Sequence, residues 1–329
     1  TEAVDVVAAC GIINGFEDGS FDPDGTLTRE QAAKIVAYMR LGAKNADALK
    51  ASSAPFEDVA ANRWSAGYIA YCVNEGIING RSDKIFDPTG TVTGFEFAKL
   101  MLGALGYDSS IEQYTGATWA INVGKTALDI ELFDGNDGAD YNKPCTREEA
   151  ALYVFNTLQA DLVEYDEKGS TIDLGNGITI NTGASDAKAV TATNKNGANI
   201  VDEKDGGDVK EYTYQFAERY FTDLEKNAGD ADAFMRPANQ WDYDGEDVGT
   251  YAQTPDLTYT AKVKGEDIYK ALGKPSTDKT NYHFYVDGVE KQIGDLPGDA
   301  AFSGINADCS KKLGGDGITI EVYKLDDAD

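Results

Sequence analysis

Gly11-Ile12-Ile13-Asn14-Gly15, Phe21-Asp22-Pro23 and Thr26-Leu27-Thr28 return as Gly76-Ile77-Ile78-Asn79-Gly80, Phe86-Asp87-Pro88 and Thr91-Val92-Thr93. All three groups move by the same 65 positions, and 12 of the 18 residues in the window 11–28 recur at 76–93. A register kept through mixed glycine, proline, aromatic and hydroxyl residues is a repeat. A third, degraded copy follows. Trp64 to Gly80 and Trp119 to Gly135 are both separated by 16 positions, and Thr93-x-x-Glu96 aligns with Thr146-x-x-Glu149. Repeats of this length are supersecondary units that bury their apolar faces only against their siblings. The expectation is one pseudo-threefold helical domain over residues 1–162, with copies at about 1–45, 56–107 and 112–162.

Each copy reads as helix, turn-rich connector, helix. Ile69, Cys72 and Val73 in the stretch Trp64–Glu75, with Ile77 just beyond it, recur at three and four, and Gly76 with Gly80 turns the chain. Phe86 in the connector reads as an anchor between helices, with Pro88 fixing the turn. The second helix opens three times on a capping box: Thr28-x-x-Gln31, Thr93-x-x-Glu96 and Thr146-x-x-Glu149. Its buried face is Ile35, Val36 and Met39 in copy one. Leu100, Met101 and Leu105 serve in copy two, and Val154, Phe155 and Leu158 in copy three. Six helices around a shared core are expected.

After about Leu162 the pattern changes to alternating β-branched, aromatic and polar residues, as in the runs 169–181, 257–263, 282–289 and 318–323. Residues 163–329 therefore read as a mainly β domain, and the whole chain as α+β. Glu211–Lys226 reads as a helix or a strand-to-helix passage, and Asp267–Leu272 as one helical turn. Copy one lacks the lead-in Phe56-x-Asp58-Val59 and Trp64 of copy two. The given sequence is expected to start inside a repeat and to stop short of the end of its β domain.

Composition narrows the function. The 329 residues carry 57 Asp and Glu against 29 Lys and Arg, a net charge of −28, which disfavours nucleic acid as a partner. No apolar run approaches the ~20 residues of a membrane span. Cys10, Cys72, Cys145 and Cys309 show no metal-ligand spacing, and buried free thiols are the better reading for those in helical stretches. The single histidine, His283, assembles no triad or multi-histidine metal site, and no phosphate-binding glycine motif is present. Calcium is the one cofactor the loops invite. Asp134–Asp140 fails the EF-hand pattern, having Ala139 at its sixth position, and reads as a solvated loop. Asp242, Asp244, Glu246 and Asp247 offer carboxylates without a complete ligand set.

The motifs Phe56-x-Asp58-Val59, Trp64, Gly76-Ile77, Gly80, Phe86-x-Pro88 and the Thr-Arg-Glu starts at 28 and 146 resemble S-layer homology domains. The resemblance covers about residues 1–162, and three copies is the usual number in that family. The β half resembles the continuation of surface-layer proteins of gut-type anaerobic Firmicutes, through Arg236-Pro237-Ala238, Trp241-x-Tyr243 and Gly249-Thr250-Tyr251. The resemblance implies a three-pronged helical domain whose grooves bind secondary cell wall polysaccharide, often pyruvylated. It also implies that motif arginines meet the ligand carboxylate. By position these are Arg29 with Glu30 in copy one and Arg147 with Glu148 in copy three. Copy two has Gly94 and Phe95 there, which leaves it without the motif cation.

Residue chemistry meets this from another side. A cation in the first turn opposes the helix dipole by ~0.3–1 kcal/mol, so Arg29 and Arg147 need partners elsewhere. A guanidinium fork suits a carboxylate. The residues alone leave two carboxylates level: one on a ligand, or an internal Asp or Glu. Trp64 and Trp119 read first as core aromatics and second as platforms at the groove edge. Asn14-Gly15 and Asn79-Gly80 read as turns bordering the groove.

The leading expectation is a non-catalytic cell-surface protein of the S-layer type, anchored through wall polysaccharide and self-associating into a lattice or filament. The alternatives are an anchored extracellular enzyme, with its catalytic part in or beyond the β half, and an assembly or adhesin subunit that binds no glycan.

Overall fold

The computed structural model describes residues 1–16, 18–136, 138–175, 178–192, 212–273, 283, 285–290, 312–314 and 317–324. By contact the chain divides into two units. Thr1–Lys226 and Trp241–Gly249 form the first; Asn227–Gln240 and Thr250–Asp329 form the second.

The first unit opens with helices α1 (Glu2–Ala9), α2 (Arg29–Leu41), the short α3 (Ala43–Asp47), α4 (Ala66–Asn74), α5 (Gly94–Leu105), α6 (Trp119–Asp129) and α7 (Arg147–Gln159). The three capping boxes form as their sequence dictates. Gln31 N, Glu96 N and Glu149 N donate to the hydroxyls of Thr28, Thr93 and Thr146 at 3.3, 3.2 and 3.2 Å, and the third-position side chains accept in return. The buried faces are those expected, with Val36, Met39, Met101, Val154 and Leu158 all without solvent contact. α3 is an addition to the six helices expected.

Packing passes from copy to copy. α2 of the first copy lies on α4 of the second, α5 of the second on α6 of the third, and α7 of the third on α1 of the first. The segments before the second helices close a ring of backbone bonds. Leu27 N donates to Cys145 O at 2.9 Å, Cys145 N to Val92 O at 2.8 Å, and Val92 N to Leu27 O at 3.1 Å. Burial of Leu27, Val92 and Cys145 at this junction leaves their amides no water to turn to, so the ring answers a physical need.

The helical part gives way to short strands. Antiparallel pairs join β1 (Val163–Glu164) to β4 (Lys188–Ala189), β2 (Lys168–Asp173) to β3 (Thr179–Ala184), and β5 (Thr191–Ala192) to β6 (Tyr212–Thr213). α8 (Phe216–Tyr220) follows β6, so Tyr212–Lys226 is a strand-to-helix passage, one of the two readings its spacing allowed. β7 (Leu224–Ala231), β8 (Pro237–Tyr243) and β9 (Glu246–Ala252) form a three-stranded sheet in the order β7-β8-β9. Within the first unit, Trp241 is fully buried. Its ring packs edge-on to Phe155 at 5.4 Å, and its Nε1 donates to Glu2 Oε1 at 2.7 Å.

The second unit pairs β10 (Leu257–Tyr259) with β15 (Ile320–Val322), β11 (Val263–Lys264) with β14 (Lys312–Leu313), and β12 (Tyr285–Val286) with β13 (Val289–Glu290). α9 (Gly265–Ala271) supplies Ile268, which packs with Leu257, Tyr259, Val263, Leu272, Ile320 and Val322 as a small core. The run read at 282–289 is described only at 283 and from 285 onward.

Cys10, Cys72 and Cys145 are buried free thiols; Cys309 lies outside the described residues. Burial pushes the Cys10 and Cys72 thiols up to about 12 and raises Cys145 as well. A raised thiol pKa keeps the proton on sulfur across the neutral range. In native protein at pH 8, these three cysteines are expected to resist a disulfide-exchange reagent and to react only when guanidinium unfolds the chain. Mass mapping of labelled peptides reads the outcome, and rapid native labelling of Cys72 would overturn it.

Candidate functional site

Each motif arginine reaches out of its own copy. Arg29 at the start of α2 donates Nε to Phe86 O at 2.8 Å and Nη2 to Asn79 O at 2.7 Å, both in the connector of copy two. Its guanidinium lies 4.6 Å from the centre of the Phe86 ring. Arg147 at the start of α7 does the same across the junction to copy one, donating Nε to Phe21 O at 2.8 Å and Nη2 to Asn14 O at 3.0 Å. It lies 4.9 Å from the Phe16 and Phe21 rings. Burial lowers the pKa of both arginines.

Neither guanidinium has a carboxylate within ion-pair distance among the described residues. The internal Asp or Glu partner that the sequence left open is therefore not what the structure forms. The first amides of these helices are spoken for as well: Arg29 N and Glu30 N donate to Gly90 O and Pro88 O, and Arg147 N and Glu148 N to Gly25 O and Pro23 O. What remains is positive charge held by neutral carbonyls, in a strongly acidic chain.

Glu30 and Glu148 do not share one environment. Glu30 is buried and accepts Arg63 Nε and Nη2 at 2.8 Å each, and Ser65 Oγ at 2.6 Å. Glu148 is exposed. Because Arg63 and Ser65 both turn toward Glu30, the residue between them turns away. Trp64 is 54% exposed, edge-on to Tyr68 at 6.2 Å, and α4 begins only at Ala66. The core reading of Trp64 is thus corrected. Trp119 is half-buried at the start of α6, under the Lys99 ammonium at 5.8 Å.

A cavity of about 1100 Å3 opens beside Arg29. It brings Arg29, Asn79, Gly80 and Trp119 together, from three different copies. Arg147, Asn14, Gly15 and Trp64 are not on its lining. The connector is held to this shape by Asp58, whose carboxylate accepts Phe86 N at 2.9 Å and Asp87 N at 2.7 Å. Burial works against the Asp58 charge, but these two donors outweigh it and hold its pKa below the usual carboxylate range.

The sequence reading did not single out Lys99 or Arg81, which also line the cavity. Arg81 is neutralised by Glu96 at 2.5 Å. Lys99 donates to Tyr114 O at 2.7 Å, and burial lowers its pKa despite the opposing field of Glu96. A signal existed for it: Lys34 stands 65 positions earlier, in register with the repeat.

The missing cation of copy two is felt elsewhere. Gly94 N and Phe95 N donate to Lys143 O and Tyr141 O, in the connector of copy three. Phe95, Phe133 and Tyr141 fill that junction, the last two stacked at 3.9 Å. The loss at Gly94 therefore leaves the junction with copy three to aromatic packing without a motif cation, while the connector of copy two keeps its cation from Arg29.

The S-layer homology domain family model matches residues 2–33 and 55–98, which contain the first two connectors and the start of α5. These two stretches of the chain are similar to S-layer homology domains. Among the relatives, the middle cell wall protein of Brevibacillus brevis is 29% identical over 164 residues, covering 50% of this chain and 15% of the relative. The surface layer protein of Brevibacillus choshinensis is 28% identical over 169 residues, covering 50% of this chain and 14% of the relative. An endoglucanase of a Bacillus species is 25% identical over 127 residues, covering 37% and 14%. The protein thus spans only a small part of the length of these relatives. No helix among its described residues is long and apolar enough to cross a membrane.

Proposed function

We propose that this protein is held at the cell surface, in the cell wall, by binding secondary cell wall polysaccharide in the groove beside Arg29. The acidic group of the glycan, read as a pyruvate ketal, meets the Arg29 guanidinium. One observation carries the reading: a buried guanidinium at a cavity wall is satisfied only by carbonyls, so its charge still calls for an anion. Asn79 and Gly80 shape the floor, and Trp119 offers a ring to a sugar face.

Arg147 with Asn14, Gly15, Glu148 and Trp64 is read as a second, shallower site. Two sites on one rigid unit raise the effective concentration along a repeating polymer, so weak contacts anchor firmly. The three segments are read as pseudo-threefold copies within residues 1–162, which the closed ring through Leu27, Val92 and Cys145 supports. Residues 163–329 are read as the β part that continues toward a surface lattice. The reading assigns no catalytic step to the protein, and the surface-layer and cell wall names of two relatives favour it over the anchored-enzyme alternative.

Cosedimentation of the folded chain with purified, pyruvylated wall polysaccharide tests the proposal. Binding is expected to fall at least about tenfold on chemical depyruvylation, and again for Arg29→Ala combined with Arg147→Ala, since a charge-assisted pair contributes roughly 1.5–3 kcal/mol. Circular dichroism confirms that the variant is folded at the assay temperature. Undiminished binding through both changes overturns the mechanism.

A further inference from the structure

The groove beside Arg29 is not built from the repeats alone. The hairpin β2–β3 follows the third copy, yet Lys168, Asp173 and Thr179 line the same cavity. Hydroxyl contacts fix the hairpin there: Ser110 Oγ lies 3.1 Å from Thr171 Oγ1, and Thr179 N donates to Thr115 Oγ1 at 3.3 Å. Lys168 and Lys99 both face this space, and neither has a carboxylate within ion-pair distance among the described residues. Neighbouring Lys188, by contrast, is paired with Asp166 at 2.5 Å and Glu164 at 3.8 Å.

Of the carboxylates on the lining, Glu75 and Glu96 face arginines, while Asp108 and Asp173 accept from neutral donors. Glu96 is held by Arg81, and Glu75 lies 3.8 Å from Arg40. Asp108 accepts from Ser110, and Asp173 accepts Gly175 N at 2.7 Å. Glu96 acts on Lys99 and Asp108 on Lys168 only at longer range. In a chain where acidic residues outnumber basic ones by 57 to 29, both ammonium groups thus lack a direct ion pair among the described residues and can still meet an outside anion. The space of about 1100 Å3 also exceeds the ~300–1000 Å3 that holds a ligand of drug size.

We infer that Lys99 and Lys168 form a second anion subsite in this groove, so that it takes an oligosaccharide bearing two acidic groups on adjoining sugars. The inference rests on the carbohydrate reading of the groove and adds to it the hairpin as a specificity-determining wall. Arg29 holds the first acidic group. Lys99, with two ammonium protons left after its bond to Tyr114 O, and Lys168 on the same cavity lining hold the second.

Calorimetry on the 329-residue chain with two synthetic disaccharides, identical except for one or two carboxylates, tests this. The unaltered protein is expected to prefer the two-carboxylate probe by about tenfold. Lys168→Gln, an exposed change that leaves the fold intact, is expected to reduce that preference about fivefold, the equivalent of ~1 kcal/mol. Lys99→Gln is expected to abolish it. Both variants should bind the one-carboxylate probe within about twofold of the unaltered chain. Equal affinity of the unaltered chain for both probes, or an undiminished preference in both variants, overturns the second subsite and leaves the Arg29 reading standing. Binding of neither probe overturns the Arg29 reading, and the subsite with it.

Discussion

Replacing Arg29 by alanine is expected to destabilise the first unit by about 3–5 kcal/mol, because it removes two charge-assisted bonds and leaves the carbonyls of Asn79 and Phe86 without their donors. Arg29 is only 6% exposed, so water replaces little of what is lost. Thermal unfolding should report a fall of roughly 10 °C, at about 2–4 °C per kcal/mol for a unit of this size. Arg29→Lys keeps the charge but not the planar fork, and is expected to fall between the two. Arg147→Ala removes the equivalent bonds where they are more open to solvent and should cost about half as much. Equal melting temperatures for Arg29→Ala and the unaltered chain would show that the fork does not hold the copies together. The comparison also separates two roles, since a variant that stays folded but loses glycan has lost the anion site.

The second large effect is expected at Phe86→Ala. This ring is fully buried, 5.4 Å from Phe56, with the Arg29 guanidinium 4.6 Å from its centre. Truncating such a ring typically costs about 3–5 kcal/mol, through lost transfer energy and the cavity left behind. A cation–π contact of ~0.5–2 kcal/mol goes with it. Phe21 is its counterpart at the same place in the repeat but is only half-buried, so Phe21→Ala should cost roughly 1–2 kcal/mol. Chemical denaturation of both variants checks the order. A cost at Phe21 equal to that at Phe86 would mean that repeat position, rather than packing, sets the energy.

That contrast shows where reading a sequence stops. Residues 21 and 86 are the same letter in the same motif, and nothing local tells them apart. Their difference comes from Phe56 and Asp58, residues outside the motif window that cover one connector. Trp64 teaches the same lesson in the opposite direction. A repeated tryptophan suggested core, yet Arg63 and Ser65 on either side are drawn to Glu30 and turn the indole outward.

The sequence by itself determined the repeat, the three capped helices and the residues of their buried faces. These features depend on neighbours three or four positions away, and such interactions survive in almost any packing. It also marked Arg29 and Arg147 as residues in need of partners. Only the tertiary structure decided what those partners were. Arg29 binds a connector 50 residues away and Arg147 one that is 133 residues away, so copies one and three each supply the cation of another copy. Lys99 and Lys168 meet in one cavity for the same reason, since a repeat helix and a hairpin beyond the repeats are joined by packing and by no periodicity of the chain.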